Sequence, residues 1–118
     1  MTDPSLAAVL VGVGGALGAT ARHAVGLRID GRRSVVAVNA LGSLALGAVL
    51  AAPIGPTATL LVATGACGAF TTFSSFAVET VSTARGGEAD VAVGFAAANL
   101  VAALVAFLAG SAVVVAVA

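Results

Sequence analysis

"GACGAFTTFSSF", Gly65 to Phe76, sets two glycines, four hydroxyl residues and three phenylalanines in a chain that is otherwise mostly alanine, valine and leucine. It makes a poor continuous helix. Glycine costs about 1 kcal/mol relative to alanine, and Ser and Thr side chains compete for the hydrogen bonds of the backbone ladder. We read the stretch as a break in a membrane-spanning helix, permitted by Gly65 and Gly68. Broken helices persist in a bilayer only where the freed amides and carbonyls are buried in protein or face ions and water. Phe73 and Phe76, three apart, share a face beyond the break. In most helices such a pair is core, but the edge of a phenyl ring also carries partial positive charge that draws an anion.

The surroundings of this stretch place it in a membrane. The 118 residues are 60% hydrophobic and 8% charged, with a mean hydropathy of +1.17, and a soluble surface needs more charge than that. A membrane-crossing helix needs about 20 mostly apolar residues. Four stretches qualify, Ser5 to Leu27, Ser34 to Ala52, Thr57 to Val81 and Ala89 to Val117. "RIDGRR", "PIGP" and "STARGGE" separate them with the Gly, Pro or charge that marks a turn. No segment alternates polar and apolar residues over about ten positions, which excludes a closed barrel. The expected fold is all-α: one four-helix transmembrane domain over residues 1–118, its third helix broken near the middle. "MTDPS" lacks the basic start of a signal peptide, so the first apolar stretch is expected to remain in the protein.

Charge placement orients the bundle. Arg28, Arg32, Arg33 and Arg85 lie in loops on one side of the membrane, with Arg22 near the same end and no Lys or Arg opposite. The positive-inside rule makes that side cytoplasmic and puts both termini outside. Gly, Ala and Ser recur at spacings of three and four in "GVGGALGA", "NALGSLALG" and "GACGA", the pattern that lets helices approach closely in lipid. Four such helices enclose little interior, so a pore or site is expected to need a second subunit.

Other chemistries lack their residues. Gly12, Gly14, Gly15 and Gly18 imitate a dinucleotide-binding turn, but the third glycine of G-x-G-x-x-G would fall on Leu17 and no βαβ unit follows. No serine sits in G-x-S-x-G, and the one histidine, His23, has no acidic neighbour to orient it, so no enzyme is expected. Cys67 is alone in an apolar stretch and reads as a small packing residue. The five arginines form no stripe that would bind nucleic acid.

Polar residues at membrane depth are the better guide, because each is costly unless paired or facing a wet cavity. Asn39 and Ser43 lie four apart on one face of the second span, Asn99 lies midway along the fourth, and Glu79 is the one carboxylate well inside a span. Asn39 and Asn99 suit either interhelical hydrogen bonds or an ion path. Glu79 suits an ion pair with Arg22 or a reach toward the loop.

Taken together, "GGALGATAR" (Gly14 to Arg22), "VNALGSLALG" (Val38 to Gly47) and "GACGAFTTFSSFAVE" (Gly65 to Glu79) resemble the small fluoride channels called Fluc or CrcB, over nearly the whole chain. The third motif is the specific one. The resemblance implies a multi-pass protein of the cell membrane that lets toxic cytoplasmic fluoride out passively. It implies an antiparallel dimer of inverted subunits with two pores around a central structural Na⁺. The carbonyls of Gly68 and Thr71 would hold that ion with their dimer mates, and Phe73 and Phe76 would offer ring edges to fluoride. Asn39 would donate an amide hydrogen bond, Arg22 would mark the pore mouth, and Ser74, Ser75 and Glu79 would lie along or beside the polar track.

Three features depart from the family pattern. Phe95, Asn99 and Ala103 stand where the fourth helix commonly carries Tyr and then hydroxyl residues, so Asn99 is expected to replace them as donor. His23 replaces an aromatic residue. The one-sided arginines suit a subunit that inserts one way and pairs with an oppositely oriented homologue, rather than with itself. The rival reading is a proton-coupled exporter of the small multidrug resistance type. It would want a carboxylate in the first span and Trp or Tyr walls, and the chain has neither.

Overall fold

A computed structural model describes residues 2–118, and within them the chain forms helices joined by short turns. Helix α1 spans Pro4–Gly26 and α2 spans Gly31–Ala51. Helix α3 is a single rod in three pieces: Pro56–Thr59, a π-helical stretch Leu60–Cys67, and Gly68–Phe70. After a two-residue interruption α4 runs Phe73–Arg85, and α5 spans Ala89–Val117. Four segments are long and apolar enough to cross a membrane, the third being α3 and α4 together, Pro56–Arg85.

Local chemistry fixes the ends. The Asp3 carboxylate accepts from the amides of Ser5 and Leu6 at 2.9 and 3.2 Å, and Pro4 occupies the first turn of α1, where its missing N–H costs nothing. Pro56 starts α3 in the same way. Helix α2 begins at Gly31, three residues before the apolar run suggests, because Gly31 adopts a φ of 61° that turns the chain directly from the loop into the helix. Arg32 and Arg33 therefore ride on its first turn. The third span likewise continues past Val81 to Arg85, since a helix need not stop where the hydrocarbon does.

The small-residue motifs act as close-approach surfaces. A methyl group at Gly14 would collide with the Leu61 carbonyl and one at Gly18 with the Ala66 carbonyl, so α1 lies against the backbone of α3. A methyl at Gly47 would strike the Phe107 carbonyl and one at Gly110 the Leu44 carbonyl, which presses α2 onto α5 in the same manner. Packing of this kind is how helices associate when lipid removes the hydrophobic drive between them. The resulting pairs, α1 with α3 and α2 with α5, meet where α2 lies against α3, while α4 lies on α5 and touches α2.

The break falls at Thr71 and Thr72, whose extended conformations (ψ 161° and 116°) interrupt the helical path. Gly65 and Gly68 lie upstream of it, inside α3. Gly65 is small for another reason: an added methyl would sit 2.9 Å from both the Gly14 Cα and the Val11 carbonyl oxygen. Large apolar side chains such as Leu17, Leu41, Val93, Leu104 and Leu108 stay exposed along the spans, as suits helices surrounded by lipid rather than water.

Candidate functional site

The break opens onto a groove of about 880 Å³ between α2, α4 and α5. Its polar lining comes from Asn39 and Ser43 on α2, Thr71 and Thr72 in the break, Thr80 on α4 and Asn99 on α5. Phe73 and Phe76 supply its aromatic wall.

Asn39 replaces the helical ladder where that ladder stops. Its Oδ1 accepts from the Thr72 amide at 2.7 Å and its Nδ2 donates to the Thr72 carbonyl at 3.1 Å, so one side chain satisfies both backbone groups of a buried residue. The same Nδ2 donates to Asn99 Oδ1 at 3.1 Å and joins α5 to the cluster. Asn39 is itself buried, at 8% exposure, where an unmatched amide would be costly.

The two threonines close the ends on either side. Thr71 directs both its amide and its hydroxyl to the Cys67 carbonyl, at 3.1 and 3.0 Å, which finishes α3. Thr72 Oγ1 accepts from the Ser75 amide at 3.1 Å and caps α4. The N-terminus of α4 thus begins at the groove, and its partial positive charge favours an anion there.

Beyond the cap the rings run in series. Phe73 and Phe76 have centroids 5.7 Å apart and planes at 48°, and Phe76 meets Phe95 of α5 at 5.6 Å and 38°. Phe95 is buried while Phe73 is 78% exposed, so the series extends from the helix packing outward into the groove. Phe95 was legible only as a departure from a family pattern. Its signal is its position four residues before Asn99, on the same face of α5.

The other expected residues lie around this centre. Arg22 Nη1 donates to the Thr71 carbonyl at 3.3 Å, reaching the break from the α1 side, so it does not pair with Glu79. Glu79 lines a separate recess of about 690 Å³ with Arg28, Asp30, Arg32 and Arg33, beneath the α1–α2 loop. Arg32 Nη1 donates to Thr83 Oγ1 at 3.2 Å and ties the first turn of α2 to α4. Ser74 and Ser75 are exposed on α4, outside the groove lining. Gly68 is also exposed, with no atom within 4 Å of where a side chain would begin. In an unbroken helix its carbonyl would accept from the Thr72 amide, which here goes to Asn39. Among the described residues, no group of three or more His, Cys, Asp or Glu gathers to hold a metal.

The family model described as CrcB-like protein, Camphor Resistance (CrcB), matches residues 9–111. A protein of Natronomonas pharaonis named fluoride-specific ion channel FluC 2 is 51% identical over 107 residues, 89% of this chain and 91% of that one. One of the same name from Haloarcula marismortui is 48% identical over 99 residues, 81% of this chain and 83% of its own. Fluoride-specific ion channel FluC of Gloeobacter violaceus is 39% identical over 113 residues, 86% of this chain and 90% of its own.

Proposed function

Because the chain belongs to the CrcB-like protein family, we propose that it is a fluoride channel, not an enzyme, that lets cytoplasmic fluoride leave passively, with the groove at the helix break as its ion path. One observation carries the reading: the third span is broken where neutral donors, a helix N-terminus and phenyl edges converge on one groove. Fluoride is small and strongly hydrated, so a pore must replace its water with groups strong enough to admit it and weak enough to release it. Amides, hydroxyls and ring edges meet both demands. Phe73 and Phe76 present edges to the ion, and the capped start of α4 offsets its charge.

One chain leaves the groove open along its length, so the conducting form is an antiparallel dimer with two pores. The exposed Gly12 and Gly68 and the half-buried Gly15, with no atom within 4 Å of their missing side chains, leave room for a second inverted subunit. Ser74, Ser75 and Glu79, which lie outside this chain's groove, then border the path only with the partner's help. Arg22 holds the break from behind.

A structural Na⁺ suits the break. The Gly68 carbonyl has lost its amide donor, and the Thr71 carbonyl accepts a single long bond from Arg22, so each oxygen keeps a lone pair for a hard cation. Two oxygens are too few for one ion, and the inverted subunit's break would supply the rest. When bound, the cation would neutralise converging carbonyl dipoles at the centre of the dimer.

With all its arginines near one membrane face, this subunit sits in the cell membrane with both termini outside and pairs with an oppositely oriented homologue. Cysteine-accessibility mapping in cells tests this; equal populations of both orientations would refute it and leave self-pairing. The channel itself is tested in liposomes by a fluoride electrode, with the protein alone and with a paired homologue. Rapid fluoride efflux unmatched by chloride is expected, and no flux in either preparation would refute the reading.

A further inference from the structure

The recess beneath the α1–α2 loop holds arginines that the channel reading leaves without a ligand. Arg28, Arg32 and Arg33 line it together with Ile29, Asp30 and Glu79. Its volume of about 690 Å³ is ample for a small molecule. Among the described residues, Arg32 alone of the three arginines engages its guanidinium, on Thr83 Oγ1. Thr83 is buried, so that bond fixes the first turn of α2 as a firm wall. The forks of Arg28 and Arg33 stay free to donate, and a guanidinium fork matches the paired oxygens of a phosphate. Asp30 does not quench them from the helix end either: its side chain makes no capping bond to α2, whose first amides face the same loop.

We propose that this recess binds the phosphodiester headgroup of an anionic glycerophospholipid, gripped by Arg28 and Arg33. Charge selects the ligand. Three guanidiniums against the carboxylates of Asp30 and Glu79 leave one formal positive charge in the lining. A glycerol-type headgroup with a single negative charge balances it, a zwitterionic headgroup brings its own cation, and a free phosphate dianion exceeds it. Position selects a lipid over a soluble anion. The recess lies at the end of the spans where all the arginines gather, and Ile29 in its lining and Leu27 beside it are both exposed. Those two side chains meet the glycerol and the start of the acyl chains while the arginines hold the phosphate, the arrangement by which basic pockets between membrane helices take anionic headgroups. The site is independent of the ion path at the helix break.

Native mass spectrometry of the purified full-length protein in neutral detergent, titrated with phosphatidylglycerol or phosphatidylcholine, tests this. One saturable phosphatidylglycerol per subunit is expected, held at least about 5-fold more tightly than phosphatidylcholine. Arg33→Gln and Arg28→Gln should each weaken it about 10- to 100-fold, the range for a lost hydrogen bond to a charged group. Arg85→Gln removes the same charge from the same end of the bundle but outside the recess, and should cost no more than about 5-fold, the effect of one surface charge. Arg33→Lys keeps the charge without the fork and should fall between wild type and Arg33→Gln. Equal losses at Arg28, Arg33 and Arg85, or uptake that never saturates, would overturn the proposal in favour of diffuse attraction. Displacement of the lipid by inorganic phosphate at matched concentration would overturn it in favour of a soluble anion. Should the Gln variants fail to fold, the wild type's preference between the two lipids and its resistance to phosphate still decide the question.

Discussion

Replacing Asn39 by alanine should destabilise the fold more than any other single polar substitution in the spans. The side chain makes three hydrogen bonds, two of them to the backbone of Thr72, which is only 6% exposed. Interhelical hydrogen bonds in membrane proteins average about 0.6 kcal/mol each, because the unfolded chain in lipid also finds partners, which sets a lower bound near ~2 kcal/mol. Orphaning a buried backbone group costs about 1–3 kcal/mol, and two such groups raise the upper bound to ~6 kcal/mol. Even the lower value is more than a tenfold change in the unfolding equilibrium. Reversible unfolding in mixed micelles, followed by helicity against denaturant fraction, measures it. Ser43→Ala is the comparator: it lies one turn along the same face of α2, and among the described residues no hydrogen bond involves its side chain, so it should stay within about 0.5 kcal/mol of wild type. An Asn39→Ala variant as stable as Ser43→Ala would show that the break does not depend on this amide.

Further outcomes follow from the packing and the rings. Gly18→Val places methyl groups against the Ala66 carbonyl and should separate α1 from α3, at about 1–3 kcal/mol or more, visible as a lowered unfolding midpoint; an unchanged midpoint would refute close approach as the reason for this glycine. Phe76→Ile and Phe73→Ile should each impair fluoride efflux while leaving assembly intact, since ring edges are lost but apolar bulk is kept. Phe95→Leu removes the ring behind Phe76 and should weaken efflux less than Phe76→Ile; a larger loss would make Phe95 part of the path. If the breaks share a structural Na⁺, exchanging it for a large organic cation should lower the thermal stability of the assembled protein, and identical melting in both salts would count against that site.

Much of the site was written in residue types but not in their partners. The glycines and hydroxyl residues of "GACGAFTTFSSF" announced a break, and it falls within that stretch, but at Thr71 and Thr72 rather than at Gly65 or Gly68. A membrane helix can stop only where another group takes over its amide and carbonyl, and that group is Asn39, 33 residues away in the chain. Gly65, by contrast, answers to Gly14 on another helix. Likewise, Asn39 and Asn99 were each visible as costly polar residues, while the link between them is a hydrogen bond across 60 residues. The pairing of Arg22 with Glu79 suggested by charge alone gives way to a bond between Arg22 and the Thr71 carbonyl.

The sequence by itself determined four spans, their short connections, an all-helical fold and the stretch in which the third span breaks. Each of these follows from hydropathy, glycine content and turn chemistry, which act within a few residues. Tertiary structure alone decided where the backbone opens and which amide holds it. Those outcomes depend on which donors and acceptors from separate helices come within about 3 Å of one another, a distance that no local pattern encodes.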